Sequence, residues 1–243
     1  MQNYSLGPPI ETFGPNWKVV AIVVALGLLF CGPALAVAWD LHDRTAWTIF
    51  YALTALFVAL ALPLVVFRVW VHATGISFRG LFRQGEMRWM EVERLYFGSY
   101  EMHAHHIPLG TFYRLKLVSS QGAKLSLGER VGRADELAER IAKYTFERLL
   151  QKAKHDLDSR ATLDFGAVLV SRAEGVKLLK WYADTQMRWE EIAGYDFTSS
   201  ELAFHRAGKR FAAKVRTEKV PNVRVLRALL DGVMQPLWQR QAR

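Results

Sequence analysis

Two long apolar runs dominate the N-terminal third of the chain. Residues 19–39 read VVAIVVALGLLFCGPALAVAW and residues 46–67 read AWTIFYALTALFVALALPLVVF, neither with a charge. A helix rises about 1.5 Å per residue, so about 20 such residues cross a hydrocarbon layer of about 30 Å. Both runs are therefore predicted to be membrane-spanning helices, joined by the short, slightly acidic connector Asp40-Leu-His-Asp-Arg-Thr45. Trp17, Trp39, Trp47 and Trp70 flank them, where amphipathic rings favour the headgroup level. Pro33 and Pro63 fall inside the runs, which membrane helices tolerate when neighbours re-satisfy the freed carbonyls. Two uncharged runs of this length argue against a pair of helices buried in a soluble core. A cleaved signal peptide competes, because Ala34-Leu-Ala36 and Ala36-Val-Ala38 look like cleavage sites, but no positive charge precedes Lys18. Leu28-Leu-Phe-Cys31 makes a poor lipoprotein signal, since Phe30 is bulky where a small residue is wanted. Ala21, Ala25, Gly27, Gly32, Ala36, Ala52, Ala55 and Ala59 are small enough to permit close contact with other membrane helices.

Beyond the second run the pattern changes to short alternating segments, and it repeats at an offset of 100 positions. Gly75/Gly175, Met87/Met187, Arg88/Arg188, Trp89/Trp189, Glu91/Glu191 and Phe97/Phe197 are identical, and Ile76/Val176, Phe78/Leu178, Phe82/Tyr182 and Val92/Ile192 are conservative. Self-similarity of this kind predicts a duplicated domain. Each copy starts with an apolar strand, at 68–73 or 165–172. A glycine leads into an alternating strand, at 76–82 or 176–182, followed by a polar turn, at 83–86 or 183–186. The Met-Arg-Trp-x-Glu segment comes next. Further strands are clearest at 112–119 and 124–127, around the Gln121-Gly122 turn, and between Glu201 and Arg216. An amphipathic helix closes each copy. The first covers about 133–154 with Leu137, Ile141, Tyr144 and Leu149 on one face. The second starts after Pro221, with Val223, Leu226, Leu230, Val233 and Leu237 inward, and is bent or ended by Pro236.

Charge orients the arrangement. The net charge is +9, and of the 32 basic and 23 acidic residues only Lys18, Arg44, Glu11, Asp40 and Asp43 precede Arg68. Arg68, Arg79, Arg83 and Arg88 follow the second run directly. The positive-inside tendency puts them, and both termini, in the cytoplasm. The single cysteine, Cys31, leaves no basis for an intrachain disulfide or a thiolate metal site.

Several antiparallel strands closed by one helix, with a Gly-led strand, a polar turn and a Trp-x-Glu-Val/Ile segment behind a membrane hairpin, resemble the bacterial pleckstrin-homology-like (PH-like) membrane proteins. The resemblance covers about 68–150 well and 163–238 less closely. It implies an α+β membrane protein: a tail (1–17), a transmembrane helical hairpin (18–70) and two tandem PH-like domains (68–155 and 160–243), each an antiparallel sheet or barrel capped by a C-terminal helix. It also implies no enzymatic activity and residence in the bacterial inner membrane. Phosphoinositide binding does not carry over, because the loops His72-Ala-Thr-Gly75 and Ala173-Glu-Gly175 lack the basic cluster of lipid-binding relatives.

Candidate chemistry is sparse. Trp89 and Trp189 are expected to fill the core of each copy rather than form a ligand platform. Glu91 and Glu191 suit turn or backbone-capping roles. His103, His105 and His106 are a weak metal candidate, since alternate residues of a strand share a face but nothing nearby beyond Glu101 completes a site. No phosphate loop, dinucleotide fingerprint or nucleophile elbow is present, so no catalytic residue and no cofactor is expected. Arg68, Arg79, Arg83 and Arg88 are candidate contacts to anionic lipid or a partner, with Lys177, Lys180 and Arg188 as partial counterparts. No helix concentrates its charge on one recognition face, which disfavours nucleic acid. The expected function is a non-catalytic scaffold or accessory subunit of a larger integral membrane complex, with a respiratory or photosynthetic assembly as a natural host. The alternative is a stand-alone module binding anionic lipid or a small ligand through a basic edge.

Overall fold

In the computed structural model, which describes residues 6–41, 44–104, 107–159, 161–179, 184–198 and 200–241, a strand stands ahead of the first apolar run. This strand, β1 (Pro9–Phe13), is followed by helices α1 (Trp17–Leu41) and α2 (Arg44–Val65) and then by strands β2 (Arg68–His72), β3 (Gly75–Arg79) and β4 (Gln84–Arg88). β1 pairs antiparallel with β2, from Pro9↔His72 to Phe13↔Val69, and the sheet order is β1-β2-β3-β4. The segment that reads as an N-terminal tail is thus an edge strand, and its Phe13 is fully buried with Val69, Val71 and Ile76.

The chain divides into two compact units: Met1–Arg88 with Glu129–Ala134, and Trp89–Gly128 with Asp135–Arg243. In the first, His72 is buried and fixes the leader. Its Nδ1 lies 2.8 Å from the Gly7 carbonyl and its Nε2 2.8 Å from Ser77 Oγ. A carbonyl only accepts, so Nδ1 carries a proton and donates to Gly7, and in the neutral ring Nε2 accepts from the Ser77 hydroxyl. The polar turn expected at 83–86 lies instead at 80–83, where the Gly80 N–H donates to the Arg83 carbonyl at 2.7 Å. Gln84–Arg88 forms β4, with Gly85 opposite Phe78, where a β-carbon would collide with the Phe78 ring. The polar stretch at 83–86 belongs mostly to this exposed strand rather than to the turn.

α1 and α2 pack on each other. A β-carbon on Gly27 would lie 3.3 Å from the Phe57 ring, and Phe30 stacks on Phe57 at 6.1 Å. Both helices are long and apolar enough to cross a membrane, with mean hydropathies of 2.6 and 2.2. No residue of α2 is buried, whereas a core helix of a soluble protein hides its apolar face.

The second unit opens with a 3-10 turn at Trp89–Glu91, then strands β5 (Val92–Ala104), β6 (Ile107–Ser119) and β7 (Lys124–Ser126) and helix α3 (Ala134–Asp158). The second copy follows: β8 (Leu163–Phe165), β9 (Val168–Ser171), β10 (Gly175–Leu178), β11 (Thr185–Met187), a 3-10 turn at Trp189–Glu191, β12 (Ile192–Phe197), β13 (Glu201–Arg206), β14 (Ala213–Arg216) and helix α4 (Val223–Gln241). Element order is therefore duplicated: a four-stranded meander, a 3-10 turn on the tryptophan, a three-stranded meander, a helix. The second copy's two sheets and α4 share one core, including Trp189, Phe204, Val176, Leu226 and Leu230. Leu149, Leu150, Ala153 and Leu157 from the end of α3 join it. That burial explains why α3 runs past residue 154, where the sequence ended it. α4 continues through Pro236 rather than stopping there. Its start is set by Asn222, not Pro221, with φ of 53°.

The apolar hairpin is an insertion. In the second copy Phe165 pairs with Val168 and only Gly166 and Ala167 connect β8 to β9. In the first copy the equivalent connection, from Phe13 to Val69, contains α1 and α2. Both ends of the helical pair thus join adjacent strands of one sheet. A cut behind Ala36 or Ala38 would break the chain connection between β1 and β2.

Candidate functional site

The end of the first unit's sheet that bears the helices gathers cations from separate stretches of chain. Arg68 begins β2 directly behind α2 and pairs in register with Arg79, the last residue of β3. Its guanidinium donates to the Val65 carbonyl at 2.8 Å, which the end of α2 leaves open, and to the Phe67 carbonyl beyond it at 2.9 Å. Arg83 closes the 80–83 turn beside Arg79, and both are exposed. Lys18 stands in the first turn of α1, behind Asn16, whose N–H donates to the Arg130 carbonyl at 2.8 Å. Pro15 bridges Val131, and the Arg133 guanidinium lies 5.2 Å from the centre of the Phe13 ring. Lys18, Arg130 and Arg133 are exposed as well. The chemistry on offer is a set of exposed guanidinium and ammonium groups on the segments from which two apolar helices leave a sheet.

Arg88 does not belong to it. It pairs with Gly75 at the opposite end of β4, and a strand rising about 3.3 Å per residue carries it roughly 13 Å from Gln84. Closeness in sequence grouped it with the others; the strand takes it away. Of the four tryptophans that flank the runs, Trp17 and Trp39 are well exposed near the two ends of α1. Their separation of 22 residues along a helix is about 33 Å. Trp47 stands in the first turn of α2, its ring 6.0 Å from that of Phe50 and 5.9 Å from that of Tyr51. Trp70 lies inside β2, opposite Ser77 and Thr12, and is half-buried.

In the second unit the repeated residues serve packing and turn closure. Trp189 is buried and its indole N–H donates to the Ser171 and Arg172 carbonyls at 3.1 Å each. Trp89 is buried and stacks on Tyr144 at 5.1 Å, which leaves Tyr144 partly exposed instead of inside the core. Glu191 accepts from the Arg188 N–H at 3.1 Å and from the Arg206 guanidinium at 2.7 Å, a cap on its 3-10 turn. These bonds, the Arg206 one first, hold its carboxyl below the usual range. Lys177 pairs with Asp184 at 2.9 Å. His105, His106 and Lys180 lie outside the described residues, as does the side chain of His103. Among the described residues no group of three His, Cys, Asp or Glu side chains is placed to hold a metal.

Sequence reasoning missed three residues that hold elements together. Arg148 of α3 donates to the Trp89 carbonyl at 3.1 Å and to that of Val92, and burial lowers its pKa. Asn222 acts as a strand residue in side chain and backbone. Its N–H donates to Leu95 O at 2.7 Å, its Oδ1 accepts from Leu95 N at 2.9 Å, and its Nδ2 donates to Glu93 O at 2.7 Å. His72 is the third. The only available signals were an asparagine ahead of a helix and a histidine in an apolar strand. An apolar recess of about 100 Å³ lies between α3 and the start of α4, lined by Leu95, Phe97, Ala142, Phe146 and Val223, with Arg224 paired to Glu139 at 3.1 Å. That is well below the few hundred Å³ of an organic-ligand pocket.

No curated protein matches the chain. Residues 1–237 match the model of a family of unknown function, DUF6585.

Proposed function

This chain belongs to the DUF6585 family, and we propose that it is a non-catalytic membrane protein, an accessory or scaffold subunit that embeds its helical hairpin beside other integral subunits and presents two PH-like lobes at the cytoplasmic surface. The observation that carries this reading is the placement of the hairpin inside the β1–β2 connection. An anchor appended to a domain is tied to it at one end only. An insertion between paired strands ties both ends of the helical pair to adjacent strands of one sheet, which fixes how the sheet is held where the helices emerge.

Two features favour an accessory role over a free-standing anchor. Gly27 is consumed by the contact with Phe57, but Ala21, Ala25, Gly32 and Ala36 of α1 face outward, and nothing lies within 4 Å of a β-carbon placed on Gly32. Without a hydrophobic driving force between helices in lipid, small outward residues matter because they let a second backbone approach. The other feature is the body outside the hairpin, whose repeated tryptophans and glycines serve packing and whose Glu191 closes a turn. The cations at the base of the hairpin favour an orientation with its connector outside, by the positive-inside tendency.

Photo-crosslinking in native membranes tests the reading. A benzophenone amino acid at Gly32 should give one discrete adduct with another integral protein, and the same group at Ile49, which is exposed on α2, should give weaker or different adducts. Adducts with lipid alone from every outward position would favour the stand-alone lipid-binding module.

A further inference from the structure

The turn between β3 and β4 carries two apolar side chains into the solvent-facing surface at the helix-bearing end of the first unit. Phe82 is 85% exposed and its neighbour Leu81 40% exposed. Scattered apolar residues are ordinary on protein surfaces, but this pair is flanked by Arg79 and Arg83, both exposed. Its depth is fixed by register. Arg79 stands opposite Arg68, the residue whose guanidinium closes the end of α2. The turn therefore continues past Arg68 alongside the last residues before β2. A β-carbon on Gly80 would lie 3.2 Å from the Phe67 ring, and Phe67 sits 6.2 Å from Phe78 across the sheet. One to two residues beyond Arg68 in extended chain is about 3–7 Å. That reaches the boundary between headgroups and acyl chains into which amphipathic elements sink by about 5–10 Å.

We infer that Leu81 and Phe82 form a wedge that enters the interface of the same bilayer the hairpin crosses, with Arg79 and Arg83 on anionic headgroups to either side. The inference rests on the span reading of α1 and α2 and adds a third point of contact. Two helices fix where the sheet emerges; the wedge fixes its tilt against the membrane surface. The bilayer is the occupant because the turn is continuous with the apolar surface of α2, through exposed Val66, and because its flanking charge complements acidic lipid.

The test uses the full chain with Cys31→Ser and one bimane-labelled cysteine, at Phe82→Cys, at Leu56→Cys on α2 or at the exposed Lys209→Cys of the second unit. Each is reconstituted in vesicles of phosphatidylcholine and phosphatidylglycerol in equal parts. Quenching is read with lipids doxyl-labelled at a shallow position, which reports on Phe82→Cys, and at a deep position, which reports on Leu56→Cys, and with aqueous iodide. The expected result is doxyl quenching at Phe82→Cys and Leu56→Cys but not at Lys209→Cys, with iodide quenching at Phe82→Cys several-fold weaker than at Lys209→Cys. A label at Phe82→Cys that is as open to iodide as Lys209→Cys and unaffected by doxyl lipid, while Leu56→Cys keeps its doxyl quenching, overturns the wedge and leaves the spans standing. Loss of doxyl quenching at Leu56→Cys overturns both.

Discussion

Gly75 and Gly175 are required by what lies across from them. A β-carbon on either would meet the carbonyl of Met87 or Met187 on the neighbouring strand, a residue identical in the two copies, and Gly175 also has φ of 90°. Alanine at Gly175 is expected to cost about 1–3 kcal/mol, the range for a strained backbone position. Alanine at Gly194, where nothing lies within 4 Å, should stay within about 0.5 kcal/mol; urea unfolding in mild detergent compares the two. Tyr195 gives the pH-sensitive counterpart. Burial, then its hydrogen bond to Asp231, raises the phenol's pKa above the usual 10.0. A raised folded-state pKa means the stabilisation is complete below the unfolded value and is lost as pH rises beyond it. Thermal unfolding followed from pH 8 to 12 should therefore decline above about pH 10, and Tyr195→Phe should flatten that decline. At this scale the sequence was informative where a residue type repeats. The glycines and methionines that coincide at an offset of 100 meet each other in both copies, and the coinciding tryptophans are both buried. His72, Arg148 and Asn222 do not repeat, and each bonds to backbone carbonyls, a kind of partner that side-chain patterning does not reveal.

Among the elements, α3 shows how far amphipathic periodicity reaches. It placed Leu137, Ile141 and Leu149 inside, as they are, and misjudged Tyr144, because a ring stacked on Trp89 can stay half in water. The helix also carries Arg148, which ties it to the 3-10 turn at Trp89. Replacing Arg148 with methionine keeps the volume and leaves the Trp89 and Val92 carbonyls without this donor. The expected loss is about 1–3 kcal/mol, read by denaturant unfolding, with faster amide exchange over residues 89–95. β1 was illegible for a different reason. Gly7, Pro8, Pro9, Gly14 and Pro15 punctuate the leader as a loop would, and the strand it pairs with stands on the far side of two helices. A local reading of turns and alternation has no access to a partner at that distance.

For the whole molecule, the duplication predicts that the hairpin is dispensable to the β body. The second copy closes the same strand pair with Gly166 and Ala167 alone. Excising residues 17–66 and bridging Asn16 to Phe67 with a short glycine linker should yield a chain that needs no detergent, keeps its sheet signal in circular dichroism and unfolds cooperatively. An aggregate without a cooperative transition would mean the sheet depends on its membrane segment. The central claim, that this chain is an accessory subunit held in a larger membrane assembly, is tested most directly by extracting native membranes in a gentle detergent and separating the complexes on a native gel. Stoichiometric co-migration with a larger integral complex is expected, lost when Gly32 and Ala36 are both replaced by leucine. Migration alone, near 27.7 kDa plus detergent, would contradict it.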